Sequence, residues 1–411
     1  MPTPLSSETV ALVKATAPAL EAHGLAITQK MYGYLFQDEE MRELFNQSHQ
    51  GAGGSQPKAL AAAVLAYAQN IDNLDALASA VERIAQKHAG LNILPEHYPF
   101  VAQALLKAIA EVLGSAATDE ILKAWGEAYW FLAEILIGRE AEIYRAHAAA
   151  PGGWTGWRDF VVARIERESD IIKSFYLRPA DGGQVIRHTP GQYLTFRIDL
   201  PGRGLLKRNY SISSSPNGSG YRISVKREAA PADAPNAQAG AASNWLHDEV
   251  RPGAILQVAP PAGEFVLEAG KDPIVLLSGG VGLTPLVSML ETLATAGERP
   301  PTWFVHGAQN GRVHAMARRM RDLAAEASDI RLAAFYAAPS DGDILGQDYD
   351  ERGLITIDWL KANTPFEHAI FYLCGPKPFL RALVTQLTTA GVERSRIRYE
   401  FFGPPEELLA A

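Results

Sequence analysis

Residues 273–285 read Pro-Ile-Val-Leu-Leu-Ser-Gly-Gly-Val-Gly-Leu-Thr-Pro. The run 273–277 is short and unbroken, as expected of a strand buried on both faces of a parallel sheet. The glycines that follow let backbone N–H groups approach a phosphate, and a helix opening there favours its charge. Thr284 suits an N-cap and Pro285 a first helical position, where a missing N–H costs nothing. Strand, turn and helix together predict a nucleotide site built from Ser278, Gly279, Gly280, Val281, Gly282, Leu283 and Thr284. Alone, such a turn is as readily structural, and Pro285 replaces the third glycine of the G-x-G-x-x-G fingerprint.

Toward the C-terminus, Trp303 to His306, Leu332 to Tyr336 and Ile370 to Leu373 read as further strands with helical patterns between them. Alternating β and α over 270–411 predicts a parallel, doubly wound α/β domain. His306-Gly307 and Cys374-Gly375-Pro376 follow strands, where such sheets bind ligands. Cys374 also reads as a small buried hydrophobe. The strand Trp303 to His306 holds no acid to grip a ribose 2′-OH, and Arg312 beyond it could meet a 2′-phosphate. That favours NADPH, with NADH accepted.

Toward the N-terminus the period changes. Asp159 to Ile165, Ser174 to Leu177, Tyr193 to Ile198, Tyr221 to Lys226 and Ile255 to Val258 alternate between Gly and Pro turns. They predict a small antiparallel β-barrel over 154–265. Ala229 to Gly240, rich in Ala, Pro, Asp and Asn, reads as a surface insertion in it. Ahead of the breaker segment Ala148 to Gly153, residues 1–147 read as helix over roughly 6–36, 57–71, 96–113 and 119–146. Leu77, Val81, Ile84, His88 and Leu91 mark one face of another helix. The expectation is a multi-domain chain: all-α, then antiparallel barrel, then α/β.

Among 411 residues, 47% are hydrophobic and 20% charged, with net charge −8, which fits a globular protein without a basic nucleic-acid footprint. One cysteine excludes an internal disulfide and fits a reducing cytoplasm. The start carries no visible signal peptide, and no run of about 18 apolar residues predicts a membrane span.

His88 on an apolar stripe reads by position as a satisfied histidine or as an iron ligand. Its surroundings decide. Residues 83–89, Arg-Ile-Ala-Gln-Lys-His-Ala, with Leu44-Phe45-Asn46, Ala124 to Tyr129 and Arg139 to Tyr144, resemble the globin domain of bacterial flavohemoglobins. Arg208-Asn209-Tyr210-Ser211, after Pro190-Gly191-Gln192-Tyr193 and before Tyr221 to Arg227 and Ser243-Asn244-Trp245-Leu246, resembles the flavin motif set of that family. Asn209 stands where the family has Gln. The 278–285 turn and the closing Tyr399-Glu400-Phe401-Phe402-Gly403-Pro404 resemble its nicotinamide loop and C-terminal motif.

The resemblance covers the whole chain and implies haem b, FAD and NADPH or NADH as cofactors. It implies His88 as iron ligand, tuned by Tyr98 and Glu140, with Phe45 packed on the haem. A carboxylate accepting the imidazole N–H makes the ligand more basic and pushes electron density to iron. Tyr32, Gln56 and Leu60 match the distal side, although the loop 51–55 is one residue longer than the pattern. Tyr193, Arg208, Asn209, Tyr210, Ser211, Val225, Lys226, Arg227 and Ser243 match the flavin site. The same resemblance implies Cys374 and Gly375 near the nicotinamide, Phe401, Phe402, Gly403 and Pro404 as the cofactor-binding closing motif with Phe402 covering the flavin face, and Lys87 and Glu400 facing the flavin–haem gap.

The implied activity is nitric oxide dioxygenation: electrons pass from nicotinamide through FAD to haem, and O2 with NO gives nitrate. A sensor or store kept ferrous by its reductase, and an alkyl hydroperoxide or ferric reductase, stay open as alternatives. NO and O2 are the expected substrates, an apolar distal pocket could admit a lipid, and a monomer is expected.

Overall fold

The computed structural model describes residues 3–44, 55–73, 77–230 and 238–403. Phe45, Pro404 and residues 231–237 of the insertion lie outside them.

Among the described residues, seven α-helices come first: α1 (Ser7–Ala15), α2 (Ala17–Leu35), α3 (Glu39–Leu44), α4 (Ser55–Gln69), α5 (Ala78–Leu91), α6 (Tyr98–Leu113) and α7 (Asp119–Ala149). The single helix expected over 6–36 is two, bent by 66° at Thr16. Pro18 cannot donate into the preceding turn. The Thr16 hydroxyl closes α1 on the Val13 carbonyl at 2.6 Å and accepts from Trp125 Nε1 at 3.2 Å, so the bend is tied to α7. The stretch Pro95–Ala116, which includes α6, is long and apolar enough to cross a membrane by length and composition. Here its Ala104, Leu105, Ala108 and Ile109 are buried with Ile27, Met31 and Leu35 of α2 in one core.

Six strands follow: β1 (Arg158–Arg167), β2 (Ile172–Pro179), β3 (Tyr193–Leu200), β4 (Gly204–Ser211), β5 (Tyr221–Lys226) and, after α8 (Ala241–Asp248), β6 (Ile255–Val258). They form an antiparallel sheet in the order β4-β3-β6-β1-β2-β5 around Phe160, Phe175, Leu194 and Phe196. Arg208 to Ser211 form the second half of β4, a strand absent from the five alternating stretches of the sequence. The run Leu205-Leu206-Lys207-Arg208 hides the alternation because Lys207 is a buried lysine.

The last unit is β7 (Ile274–Gly279), α9 (Leu283–Thr295), β8 (Thr302–Ala308), α10 (Ala317–Glu326), β9 (Ile330–Tyr336), β10 (Glu351–Arg352), α11 (Ile357–Asn363), β11 (Ile370–Cys374), α12 (Lys377–Thr389) and β12 (Ile397–Glu400). The sheet is parallel, in the order β10-β9-β8-β7-β11-β12. The chain winds outward from β7 to β10, then returns beside β7 as β11. This is the reversal point where open α/β sheets leave a crevice. All six residues of β7 are buried, which explains the unbroken apolar run.

Candidate functional site

Helix α5 carries His88, α6 opens on Tyr98, and α7 carries Glu140. His88 Nδ1 lies 2.7 Å from Glu140 Oε1 and 3.2 Å from Tyr98 Oη. The Tyr98 hydroxyl donates to the same Glu140 oxygen at 2.6 Å, and Tyr129 donates to the Tyr98 carbonyl at 2.8 Å. Glu140 is 2% exposed and the His88 side chain 30%, so the acceptor sits inside and the ring reaches outward. Burial, then the charge of Glu140, drives the Tyr98 phenol far above its ordinary range, so it keeps its proton and donates. Both hydrogen-bond contacts of the imidazole fall on Nδ1, so Nε2 is the atom that could reach a metal. No group of three or more His, Cys, Asp or Glu is gathered for a metal among the described residues. One oriented imidazole therefore fits an iron held mainly by a porphyrin.

Tyr32 on α2 is buried, and its hydroxyl is hydrogen-bonded with Gln56 at the start of α4. Burial raises this phenol as well, against the lowering effect of Gln56. Leu60 packs against the same core. That core and the one holding Ala85, Ala89 and Tyr98 meet at Leu44, Tyr129 and Leu132. The two polar groups implied for the distal and proximal sides thus belong to adjoining cores.

In the barrel, β3 and β4 pair Tyr193 with Ser211, Leu194 with Tyr210, Thr195 with Asn209 and Phe196 with Arg208. The Thr195 hydroxyl donates to Asn209 Oδ1 at 3.0 Å. Tyr193 Oη is buried without a partner. A buried hydroxyl ordinarily has one, so a polar ligand atom fits here. Burial pushes the Arg208 pKa down and the Tyr210 pKa up. Arg227, just past β5, donates to Asn244 Oδ1 at 3.2 Å and Asp248 Oδ2 at 3.0 Å on α8. Ser243 Oγ accepts from the Glu228 amide at 3.2 Å, so the 225–227 and 243 segments do meet.

The glycine turn departs from expectation at its end. Residues 280–282 form a 3-10 turn running straight into α9, so Gly282 takes the cap position. Thr284 instead lies inside the helix and donates to the Val281 carbonyl at 3.1 Å. A Cβ on Gly282 would overlap the Cys374 carbonyl, and one on Gly375 would come within 2.6 Å of the Phe379 ring. The turns after β7 and β11 therefore interlock, and glycine is required there. Burial drives the Cys374 thiol well above its usual value, so it is no thiolate nucleophile.

A buried cluster that the sequence did not show lies at this edge. Ser278 Oγ meets His306 Nδ1 at 2.7 Å, His306 stacks on His314 at 4.6 Å, and His314 Nδ1 meets Tyr336 Oη at 3.0 Å. Burial lowers both imidazoles, so both are neutral. His314 gave no sequence signal, since its loop lacks period. Arg312 pairs with Asp170 of the barrel at 2.8 Å, so the guanidinium proposed for a 2′-phosphate is engaged elsewhere.

The globin docks on the reductase through α5. Arg83 Nε donates to Glu264 Oε1 at 2.6 Å, Gln86 accepts from the Gly263 amide at 3.3 Å, and Lys207 Nζ donates to the Leu91 carbonyl at 3.2 Å. A Cβ on Gly90 would stand 2.9 Å from Thr195 Oγ1, so the two backbones approach closely there. Glu400, paired with Cys374 across β11 and β12, sits at this seam. Burial pushes its carboxyl up to about 7, against the pull of Lys87 and Arg83 and with a push from Glu264. Phe401 packs partly against the α/β core, whereas Phe402 is 49% exposed.

Known proteins match this layout. The globin family matches residues 29–136, the oxidoreductase FAD-binding domain 159–267 and the oxidoreductase NAD-binding domain 276–385. The flavohemoprotein of Xylella fastidiosa (strain Temecula1) is 51% identical over 407 residues, 99% of each chain. That of Rhizobium meliloti (strain 1021) is 47% identical, over 97% of this chain and 98% of its own. A crystal structure of flavohemoglobin from Malassezia yamatoensis with bound FAD and heme superposes with a TM-score of 0.85 at 26% identity, covering 98% of this chain and all of its own. The FAD/NAD-binding domain of nitric oxide dioxygenase from Vibrio cholerae matches 60% of this chain and 99% of its own, at 36% identity and a TM-score of 0.53. With one of these relatives alike along almost its whole length at about half its positions, this chain belongs to the flavohemoprotein family.

Proposed function

We propose that the protein is an NAD(P)H-dependent nitric oxide dioxygenase, turning NO and O2 into nitrate, in the cytoplasm. The observation that carries this reading is the shared Glu140 oxygen, which receives both His88 Nδ1 and the Tyr98 hydroxyl. A simple oxygen carrier has no need of a buried carboxylate behind its ligand, whereas activated iron–oxygen chemistry uses the added basicity. The solved Vibrio cholerae relative carries the same activity in its name.

When bound, haem supplies the reacting iron, and FAD converts a two-electron donor into single-electron steps. The chain's own residues do the rest. Glu140 orients His88 with Nε2 outward, and Tyr98 fixes the carboxylate by its second hydrogen bond. Tyr32, held by Gln56 and protonated at all ordinary pH, offers a donor on the other side of the pocket. Tyr193 and Arg208 to Ser211 line one strand pair for the isoalloxazine and its phosphates, with Arg227 and Ser243 beyond. Residues 278–284 and 374–375 receive the nicotinamide nucleotide at the sheet's reversal point. Lys87 and Glu400 set the charge between the two redox sites. We assign the haem role to 1–147, the flavin role to 154–265 and the nicotinamide role to 270–411.

Stopped-flow loss of NO under air tests the reading. Loss dependent on NADH or NADPH, with nitrate as product, is expected. A loaded protein that consumes no NO under those conditions would overturn it.

A further inference from the structure

Helix α9 begins where the glycine turn ends, and one turn apart on its buried face it carries Ser288 and Glu291. Both reach the barrel. Ser288 Oγ donates to the Ser214 carbonyl at 2.7 Å, with His188 Nε2 at 3.2 Å. Glu291 accepts from the Ser215 amide at 2.9 Å, from Arg222 Nη2 of β5 at 2.6 Å and from Arg319 Nε of α10 at 2.5 Å. Arg222 also donates to Ser213 Oγ at 3.1 Å. The clamped segment 213–215 begins two residues beyond Ser211, the end of the flavin strand.

Among the ion pairs of described residues, Arg222–Glu291 alone has both side chains under 5% exposed, at 3% and 4%. Burial pushes the Glu291 carboxyl up, yet Arg222 and Arg319 outweigh it and hold it below its ordinary value. The group is therefore ionised. A buried ion pair is a poor source of stability, because desolvation offsets much of its attraction, but it fixes direction. Here it fixes the helix that follows the nicotinamide turn against the strands that carry the flavin motif.

We infer that Glu291 is a positioning residue for flavin reduction: by clamping α9 to residues 213–215 and Arg222 it sets the distance between nicotinamide and flavin. The inference rests on the reading that the 278–284 turn and β4 hold those two groups. In the step concerned, a C–H bond of the dihydronicotinamide breaks and the hydrogen moves with both electrons to flavin N5, where an N–H bond forms. The nicotinamide leaves oxidised as the pyridinium, and the flavin is reduced. Misplacement of reacting groups by about 1 Å can cost about 100-fold in rate.

The test uses full-length holoenzyme with Glu291→Gln, Glu291→Asp and Arg319→Gln. Anaerobic stopped flow reads flavin bleaching at saturating NADH, photoreduction of the flavin reads onward transfer to haem, and amide exchange without nucleotide reads Ser215 and the 279–283 turn. For Glu291→Gln we expect bleaching slower by roughly tenfold or more, flavin-to-haem transfer unchanged, and faster exchange at Ser215 and the turn. Glu291→Asp should recover part of the rate. Bleaching at the wild-type rate despite lost Ser215 protection would overturn the inference, as would a defect that disappears with excess FAD. Should Glu291→Gln fail to fold, Arg319→Gln removes only the half-exposed arginine and should slow bleaching in the same direction; no slowing there overturns the idea. Wild-type protein that neither NADH nor NADPH bleaches would instead sink the functional reading beneath it.

Discussion

Replacing Glu140 by glutamine separates charge from position at the proximal histidine. The Glu140 Oε1 atom accepts from both His88 Nδ1 and Tyr98 Oη, at 2.7 and 2.6 Å. Glutamine keeps an acceptor oxygen there and removes the charge. Hydrogen bonds to charged groups contribute about 1.5–3 kcal/mol and neutral ones about 1 kcal/mol, so with two such bonds the variant should lose about 1–4 kcal/mol of stability. Leucine at the same place strands two buried donors at about 1–3 kcal/mol each, and should be the less stable of the two. Function should divide differently. Loss of the anionic partner makes His88 a weaker donor, and such changes behind a metal ligand cost roughly 10–100-fold in activity. The assay pairs NO consumption with the iron–histidine stretching frequency of the ferrous protein. We expect turnover to fall by that factor in Glu140→Gln and the frequency to drop, with haem retained. Unchanged turnover and frequency in the glutamine variant, beside an inactive leucine variant, would show that the carboxylate acts by position alone, and the argument from ligand basicity would fail.

Three further outcomes follow from the geometry. Glu400 is raised from 4.5 to about 7, so the folded chain holds this proton after the unfolded chain has released it, and stability falls as pH rises between those values. Glu400→Gln should therefore melt higher than wild type at pH 8 and equally at pH 4; equal melting at both would remove the buried carboxyl from the account. Tyr32→Phe removes one neutral donor worth about 0.5–1.5 kcal/mol and should speed O2 release by up to roughly tenfold, as flash photolysis would read, with melting little changed. Gly90→Ala places a methyl 2.9 Å from Thr195 Oγ1 and should slow flavin-to-haem transfer while leaving O2 binding intact; equal transfer rates would show that the seam yields without cost.

What the sequence displays depends on how local the cause is. The β7 run and the glycine turn were legible because burial on both faces and a close backbone crossing each demand particular residues. His88 was legible only with its neighbours, because Tyr98 and Glu140 lie 10 and 52 positions away and meet it by folding. Thr284 was misread as a cap because the 3-10 turn before it shifts the helix start. The strand β4 was hidden by Lys207, which is buried against periodic expectation and donates to a globin carbonyl. Such a residue answers to a contact between domains, and no pattern within its own strand records that.

One helix, α5, serves both halves of the molecule. In α5 the apolar positions Ala85 and Ala89, with His88 beside them, face the core that holds Tyr98 and Leu136. Arg83, Gln86, Lys87 and Gly90 recur at steps of 3 or 4 on the neighbouring face, which meets the reductase. Adjacent residues in a helix point about 100° apart, so Lys87 turns toward Glu400 at the seam while His88 turns toward Glu140. A helix cannot shift one face and hold the other. Docking at Glu264, Gly263 and Thr195 therefore constrains the same backbone that sets the His88 ring against Glu140. The docking of the two halves and the setting of the His88 ring are thus two results of a single 14-residue element.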